Sequence, residues 1–236
     1  MIENHPVVSH EAWTEARNRL LAKEKEFNRL RDELSAERRA LPWEAVNKPY
    51  VFEGPQGRET LADLFAGRSQ LAVYHFMLGP GWEEGCKSCS FWADNFNGID
   101  IHLAHRDVTL LAISSAPFHE IERYRQRMGW TFKWVSSAGS DFNRDYNVTF
   151  TPDQVAKGEV FYNYQWQKNL GTEMPGVSVF YKSPDGGIYH TYSTYSRGLD
   201  MMNGADHFLD LVPKGRDEAG LRRPMEWVRW HDKYED

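Results

Sequence analysis

The sequence predicts an α/β fold, a sheet with helices on both faces, and three observations carry that prediction. Apolar runs of strand length alternate with helical segments between residues 70 and 136. Two extended segments around residues 180 and 190, joined by Pro184-Asp185-Gly186-Gly187, read as a terminal hairpin. A long helical pattern free of proline and glycine precedes both. The 236 residues suffice for one sizeable domain plus an extension. The expected organisation is a helical arm over 1–45, a main domain over 46–212 with an insertion near 141–171, and a tail over 213–236.

In chain order, Ser9 is a good N-cap for a helix running to Arg39. Trp13, Leu20, Phe27, Leu34 and Leu41 recur every seven residues along it, but Lys23 and Glu37 interrupt the second seam of a coiled coil. At 1.5 Å per residue the helix would be about 45 Å long, an arm across its own domain or one that also reaches a second subunit. Pro42 ends it. Tyr50–Glu53 is a short strand turned by Gly54-Pro55-Gln56-Gly57, and Thr60–Phe65 a helical turn. Leu71–Leu78 reads as a buried strand, Cys89–Phe96 and Ile99–Arg106 as helices, Val108–Ser114 as a second buried strand. His119–Met128 is an amphipathic helix closed by Gly129, and Phe132–Ser136 a third strand. Asp141–Gly171 shows few regular signals. Val177–Lys182 and Ile188–Ser193 form the hairpin, Ala205–Val212 a last helix, and Trp227 and Trp230 are the anchors of the polar tail.

Composition narrows the function. Hydrophobic residues make up 41% and charged ones 26%, the balance of an ordinary globule. A net charge of -6 argues against general nucleic-acid binding. No apolar run approaches the ~20 residues of a membrane span, so no membrane partner is expected. The segment MIENHPVVSHEAW has neither a basic start nor an apolar core, which gives no signal peptide and a cytoplasmic reading. The chain has two cysteines, Cys86 and Cys89, a poor structural disulfide framework but a good catalytic or metal-binding pair.

The chemistry concentrates in residues 70–106. A strand, a Gly/Pro-rich turn, Cys86-Lys87-Ser88-Cys89 and then a helical segment place a dithiol at a helix start. There Cys86 would attack a disulfide and the deeper Cys89 would resolve the mixed disulfide. Lys87 adds a positive charge that should lower a thiol pKa, which Glu83 and Glu84 would oppose. Trp82, with Phe91, Trp92 and Phe96, is a candidate lining of a substrate groove. His75 in the central strand is either the proton acceptor for Cys89 or a hydrogen-bonded core histidine. Three rivals stand beside the dithiol. Cys86, Cys89, His102 and His105 form a near zinc-finger spacing, although two residues separate the histidines where three to five are usual; as an exposed pair at a helix end, the histidines need no metal. Gly79, Gly81 and Gly85 have the context of a dinucleotide loop but not its spacing. An inert buried pair in a partner-binding module is the third.

Beyond the local chemistry, the order of short hairpin, TLADLF step, buried strand and cysteine resembles the entry to peroxiredoxin-like domains. Met174-Pro175, directly before the strand at Val177, stands where thioredoxin-type sites carry a proline, usually cis, that positions substrate; a plain strand-entrance proline is the alternative. The strings YHFMLGPGWEEGCKSCSFWADNFNG, RMGWTFKWVSS, DFNRDYNVTF and PGVSVFYKSPDGGIYHTYSTYSRGLD resemble the bacterial thioredoxin-like family called domain of unknown function 899 over nearly the whole chain. Its members are described as predicted dithiol-disulfide oxidoreductases. The resemblance implies a thioredoxin-like, peroxiredoxin-type mixed sheet and redox use of Cys86 and Cys89, with no cofactor beyond that disulfide. The partners it implies are a thiol or disulfide substrate or a reductant protein. The long arm adds the expectation of a homodimer. A peroxide-reducing variant, in which Cys86 passes through a sulfenic acid trapped by Cys89, is the nearest alternative, although the Thr and Arg that peroxiredoxins keep near the reactive cysteine find no placed counterpart. A zinc- or partner-binding module is the non-enzymatic one.

Overall fold

A computed structural model describes residues 5–235. The first helix, α1, spans His10–Arg39 and starts where Ser9 accepts a hydrogen bond from Ala12 N–H at 3.3 Å. It buries no side chain, and Trp13, Leu20, Phe27, Leu34 and Leu41 are all exposed. The heptad stripe therefore does not face the chain's own domain. At its end Arg38 lies over the Tyr192 ring and Trp43 packs on Tyr181 and Tyr189.

The remaining strands and α-helices are β1 (Glu44–Ala45), β2 (Val51–Gly54), β3 (Gly57–Thr60), α2 (Leu61–Leu64), β4 (Gln70–His75), α3 (Lys87–Ala93), α4 (Ile99–Ala104) and β5 (Val108–Ser114). Then follow α5 (Phe118–Arg127), β6 (Lys133–Ser136), α6 (Phe142–Asp145), α7 (Pro152–Ala156), β7 (Glu159–Tyr162), β8 (Gln165–Lys168), β9 (Gly176–Lys182), β10 (Ile188–Tyr195) and α8 (Gly204–Leu209). One eight-stranded sheet has the order β1-β10-β9-β4-β5-β6-β2-β3. Its centre, β4-β5-β6, is parallel, while β9 pairs antiparallel with β4 and β10 with β9. This is the thioredoxin-like, peroxiredoxin-type arrangement that the resemblance implied.

Side chains alternate across β4, as a pleated strand requires. Leu71 and Val73 enter a core with Phe52, Phe142 and Phe180, whereas Tyr74 enters a separate aromatic core with Phe76, Trp92, Trp130 and Trp134. The expected strand Leu71–Leu78 is shorter than predicted. Phe76 N–H still bonds Ile113 O, but Leu78 N–H turns back to Phe76 O at 3.0 Å, and that tight turn lifts the chain off the sheet. The region 141–171 is more ordered than its sequence suggests. Phe142 and Tyr146 belong to the core beneath β4, and β7 and β8 form a separate hairpin.

Candidate active site

The turn that ends β4 delivers the cysteines. Cys86 N–H bonds Met77 O at 3.0 Å, and Ser90 N–H bonds Cys86 O at 2.9 Å, so Cys86 caps α3 with extended backbone (φ −54°, ψ 127°). Gly85 precedes it because nothing larger fits: a Cβ there would lie 2.6 Å from the Phe76 ring and 2.7 Å from Tyr124. Both cysteines are free thiols, Cys86 half-buried and Cys89 only 2% exposed.

The two sulfurs sit in opposite electrostatic settings. Cys86 is brought down to about 6, first by the hydrogen bond from the Cys89 thiol and then by the backbone N–H groups of Cys89 and Ser88, against the opposing cost of burial. Burial pushes the Cys89 thiol well up, and its bond to Cys86 adds to that; the Tyr74 hydroxyl and the Met77 amide, both donating to it, pull the other way. Near neutral pH the pair thus holds one thiolate at the accessible position and one thiol behind it. Lys87 attracts the Cys86 thiolate as expected but is not among the main causes of its low value. Its Nζ donates to Glu226 O at 3.0 Å in the tail, and the Cys89 thiol and the first amides of α3 do most of the lowering. Glu84 is likewise occupied, by Arg127 and Lys233.

His75 is not beside Cys89. It points to the opposite face of β4, where it stacks on Phe142 and Tyr146, with Nδ1 3.0 Å from Asn143 Oδ1 and Nε2 2.9 Å from Ser178 Oγ. Burial holds its pKa down to about 4. The group that touches Cys89 is its neighbour Tyr74, whose own hydroxyl is pushed well up, mainly by burial. Only the direction of each side chain separates these two candidates, and the sequence signal was the strand period itself.

Pro175 stands at the entrance of β9, and its peptide bond is trans, as are all others among the described residues. Its carbonyl accepts the Tyr162 hydroxyl at 2.7 Å. Tyr162 comes from β7, so the 141–171 region reaches this end of the sheet; its hydroxyl is raised to about 12, chiefly by burial. Trp82 lines a cleft of about 480 Å³ with Gly79, Ser115, Asn143, Thr149 and Glu173. The other aromatics expected in a groove do not line it. Trp92 and Phe96 are core, and Phe91 packs on Trp227 of the tail. The tail is bound where the sequence suggested, with Trp230 Nε1 donating to Gly85 O at 2.8 Å.

His102 and His105 are not brought to the cysteines. Both are exposed at the end of α4, level with the start of β5, whereas Cys86 lies beyond the end of β4. Among the described residues no three His, Cys, Asp or Glu side chains are grouped to hold a metal ion. Nor is any helix among them long and apolar enough to cross a membrane.

Sheet order and a cysteine pair at the end of its central strand define a protein of the thioredoxin-like class. Within it, the chain belongs to the family described as bacterial protein of unknown function (DUF899), whose model matches residues 2–234. No curated protein matches it. Among solved structures, it is similar to peroxidoxin BcpB of Mycobacterium tuberculosis at 12% identity, covering 70% of this chain and 91% of that one, with a TM-score of 0.46. A cysteine-to-serine variant of Xylella fastidiosa PrxQ matches at 13% identity, 70% and 95% coverage and a TM-score of 0.44. A Chlorobium tepidum protein proposed to be the thiol:disulfide interchange protein DsbE matches at 11% identity, 69% and 95% coverage and a TM-score of 0.42.

Proposed function

We propose that this protein is a cytoplasmic thiol–disulfide oxidoreductase that cycles Cys86 and Cys89 between dithiol and disulfide. The observation that carries the reading is the split between the two sulfurs, an accessible Cys86 lowered to about 6 and bonded to a buried Cys89 that is raised. In the reductive direction the Cys86 thiolate attacks one sulfur of a substrate disulfide. The substrate S–S bond breaks, a mixed disulfide forms, and the departing thiolate takes a proton from solvent. Cys89 then attacks the Cys86 sulfur; its proton goes to the second departing thiolate. Two electrons have moved from protein to substrate, which leaves as two thiols. Tyr74, already donating to Cys89, stabilises the thiolate that the second step requires. Trp82, in the turn before Cys86, and Pro175, at the entrance of β9, are the residues assigned to position the substrate. The chemistry closes on two sulfurs, so no metal or organic cofactor enters it. A reductant protein or small dithiol would restore the reduced form.

Counting thiols tests this directly. Mild oxidation should remove two thiols per chain and reduction should restore both, with no zinc in the purified protein. Cys86→Ser should abolish reduction of a model disulfide, and Cys89→Ser should accumulate a mixed disulfide visible by mass. Full activity of both variants sinks the reading. Peroxide consumed faster than any disulfide would replace it with a thiol peroxidase. The exposed stripe on α1 supports a homo-oligomer formed through that helix. Light scattering should show a dimer that Leu20→Glu and Phe27→Glu dissociate, and a monomeric wild type would refute it.

A further inference from the structure

Among the described residues three acidic side chains are buried away from the surface, and two have cations: Glu59 meets Lys133, and Asp206 meets Arg216 at 3.3 Å. The third, Glu173, is 4% exposed and has no ion pair among the described residues. It accepts the Ser115 hydroxyl at 2.6 Å and the Thr149 hydroxyl at 2.9 Å. Two hydroxyls do not repay the burial of a carboxylate, and its pKa is pushed up to about 7 by burial, against those two bonds.

Its surroundings are built rather than accidental. Thr149 and Glu173 form a β-bridge that clamps the backbone, and the N–H of Ala116, next to Ser115, donates at 3.0 Å to the carbonyl of Leu78, the residue that leaves the sheet on the way to Cys86. Glu173 lines the cleft of about 480 Å³, a volume that suits a small molecule rather than a folded chain, and the cation in the same lining, Arg144, is paired with Asp141. Trp82 forms part of the same wall, close in the chain to Cys86, and Glu173 itself lies two residues before Pro175. A ligand seated there therefore lies against the turn, Gly79–Trp82, that leads into Cys86, whose N–H bonds Met77 O at the start of that turn.

We propose that this cleft is the substrate-recognition site of the dithiol and that Glu173 selects low-molecular-weight disulfides carrying a primary ammonium group. The proposal rests on the thiol–disulfide reading for its chemistry but not for its binding step. An ammonium is a compact charge with three donors. It supplies the cation that Glu173 lacks and leaves the Ser115 and Thr149 bonds in place. In the reaction, Cys86 attacks the disulfide, one aminothiolate departs and is protonated, and Cys89 releases the second as the protein disulfide closes.

The test compares single-turnover rates of the reduced protein with cystamine and with the uncharged bis(2-hydroxyethyl) disulfide at pH 8. The ratio of the two rates should fall about tenfold in Glu173→Gln, the cost of one charge-assisted bond. An unchanged ratio overturns the proposal. In parallel, 1,6-hexanediamine, which has the length of cystamine but no sulfur, should bind the wild type in a calorimeter and lose that binding in Glu173→Gln. No binding to the wild type overturns the proposal without touching the dithiol. A wild type that binds the diamine but reduces neither disulfide refutes the dithiol reading and leaves an ammonium-binding cleft.

Discussion

Tyr74 and His75 are consecutive residues, both buried, on opposite faces of one strand, and they are in opposite chemical situations. On the His75 face the polar groups are satisfied. With Nδ1–H donated to Asn143, Nε2 accepts from Ser178, Ser178 accepts from Ser193 at 2.8 Å, and Ser193 accepts from His190 Nε2 at 2.7 Å. Every bond has a donor and an acceptor, and the chain of them knits β4, β9, β10 and α6 together. The Tyr74 face holds instead a buried thiol that must lose a proton, one phenol to help it, and an outer thiolate held low by amides. A completed network stabilises a fold. An incomplete one, with a thiol under a desolvation load, is what a reaction can use. Sequence alone leaves His75 open between the proton acceptor, since a histidine titrates near neutrality, and a hydrogen-bonded core residue. Its geometry gives it a structural role.

The largest separation between the two faces should appear on removing His75. His75→Leu strands Asn143 and Ser178 and should cost on the order of 2–4 kcal/mol in urea denaturation at pH 7, while the alkylation rate of Cys86 stays at the wild-type value. A large loss of thiol reactivity in a folded variant would merge the two faces. The acid limb of the same experiment has a definite sign. A histidine lowered to about 4 in the folded state contributes stability that is present above its unfolded value of about 6.5 and lost as pH falls through 4. The gap between wild type and His75→Leu should therefore narrow between pH 6.5 and 4.

Tyr74→Phe should do the reverse. Stability should change by about 1 kcal/mol, whereas release of the second thiol by Cys89 should slow about tenfold, the worth of one bond to a developing thiolate. Mass spectrometry would then show the mixed disulfide persisting. If resolution runs at the wild-type rate, Tyr74 is core packing. A smaller effect concerns Cys86 itself. Its alkylation by iodoacetamide should rise with pH and reach half its plateau near pH 6, and Lys87→Met should move that midpoint only slightly upward, because the Cys89 thiol and the helix amides do most of the lowering. A shift above pH 7 would return the tuning to the lysine.

What could be read along the chain was what depends on local spacing. The two-residue gap between the cysteines puts both sulfurs on one helical turn, Ser9 caps its helix, and the strand–helix alternation from β4 to β6 sets the layer order. The terminal hairpin and the anchoring tryptophans were legible for the same reason. Contacts that join distant segments were not. Glu173 accepts from Ser115 and is bridged to Thr149, and Tyr162 crosses to Pro175 from a hairpin with weak strand signals.

Period-two alternation says in advance that Tyr74 and His75 point opposite ways, but not which face receives the cysteines. That depends on the turn at Phe76–Leu78 and on the aromatic side chains around Gly85, which together carry the chain over one side of the sheet. The sequence by itself determined that a dithiol closes a strand and opens a helix, because a few neighbouring residues suffice to build it. Only the tertiary structure decided which buried groups tune it and what lies beside it, because long-range packing chooses the face, and burial then sets the charge.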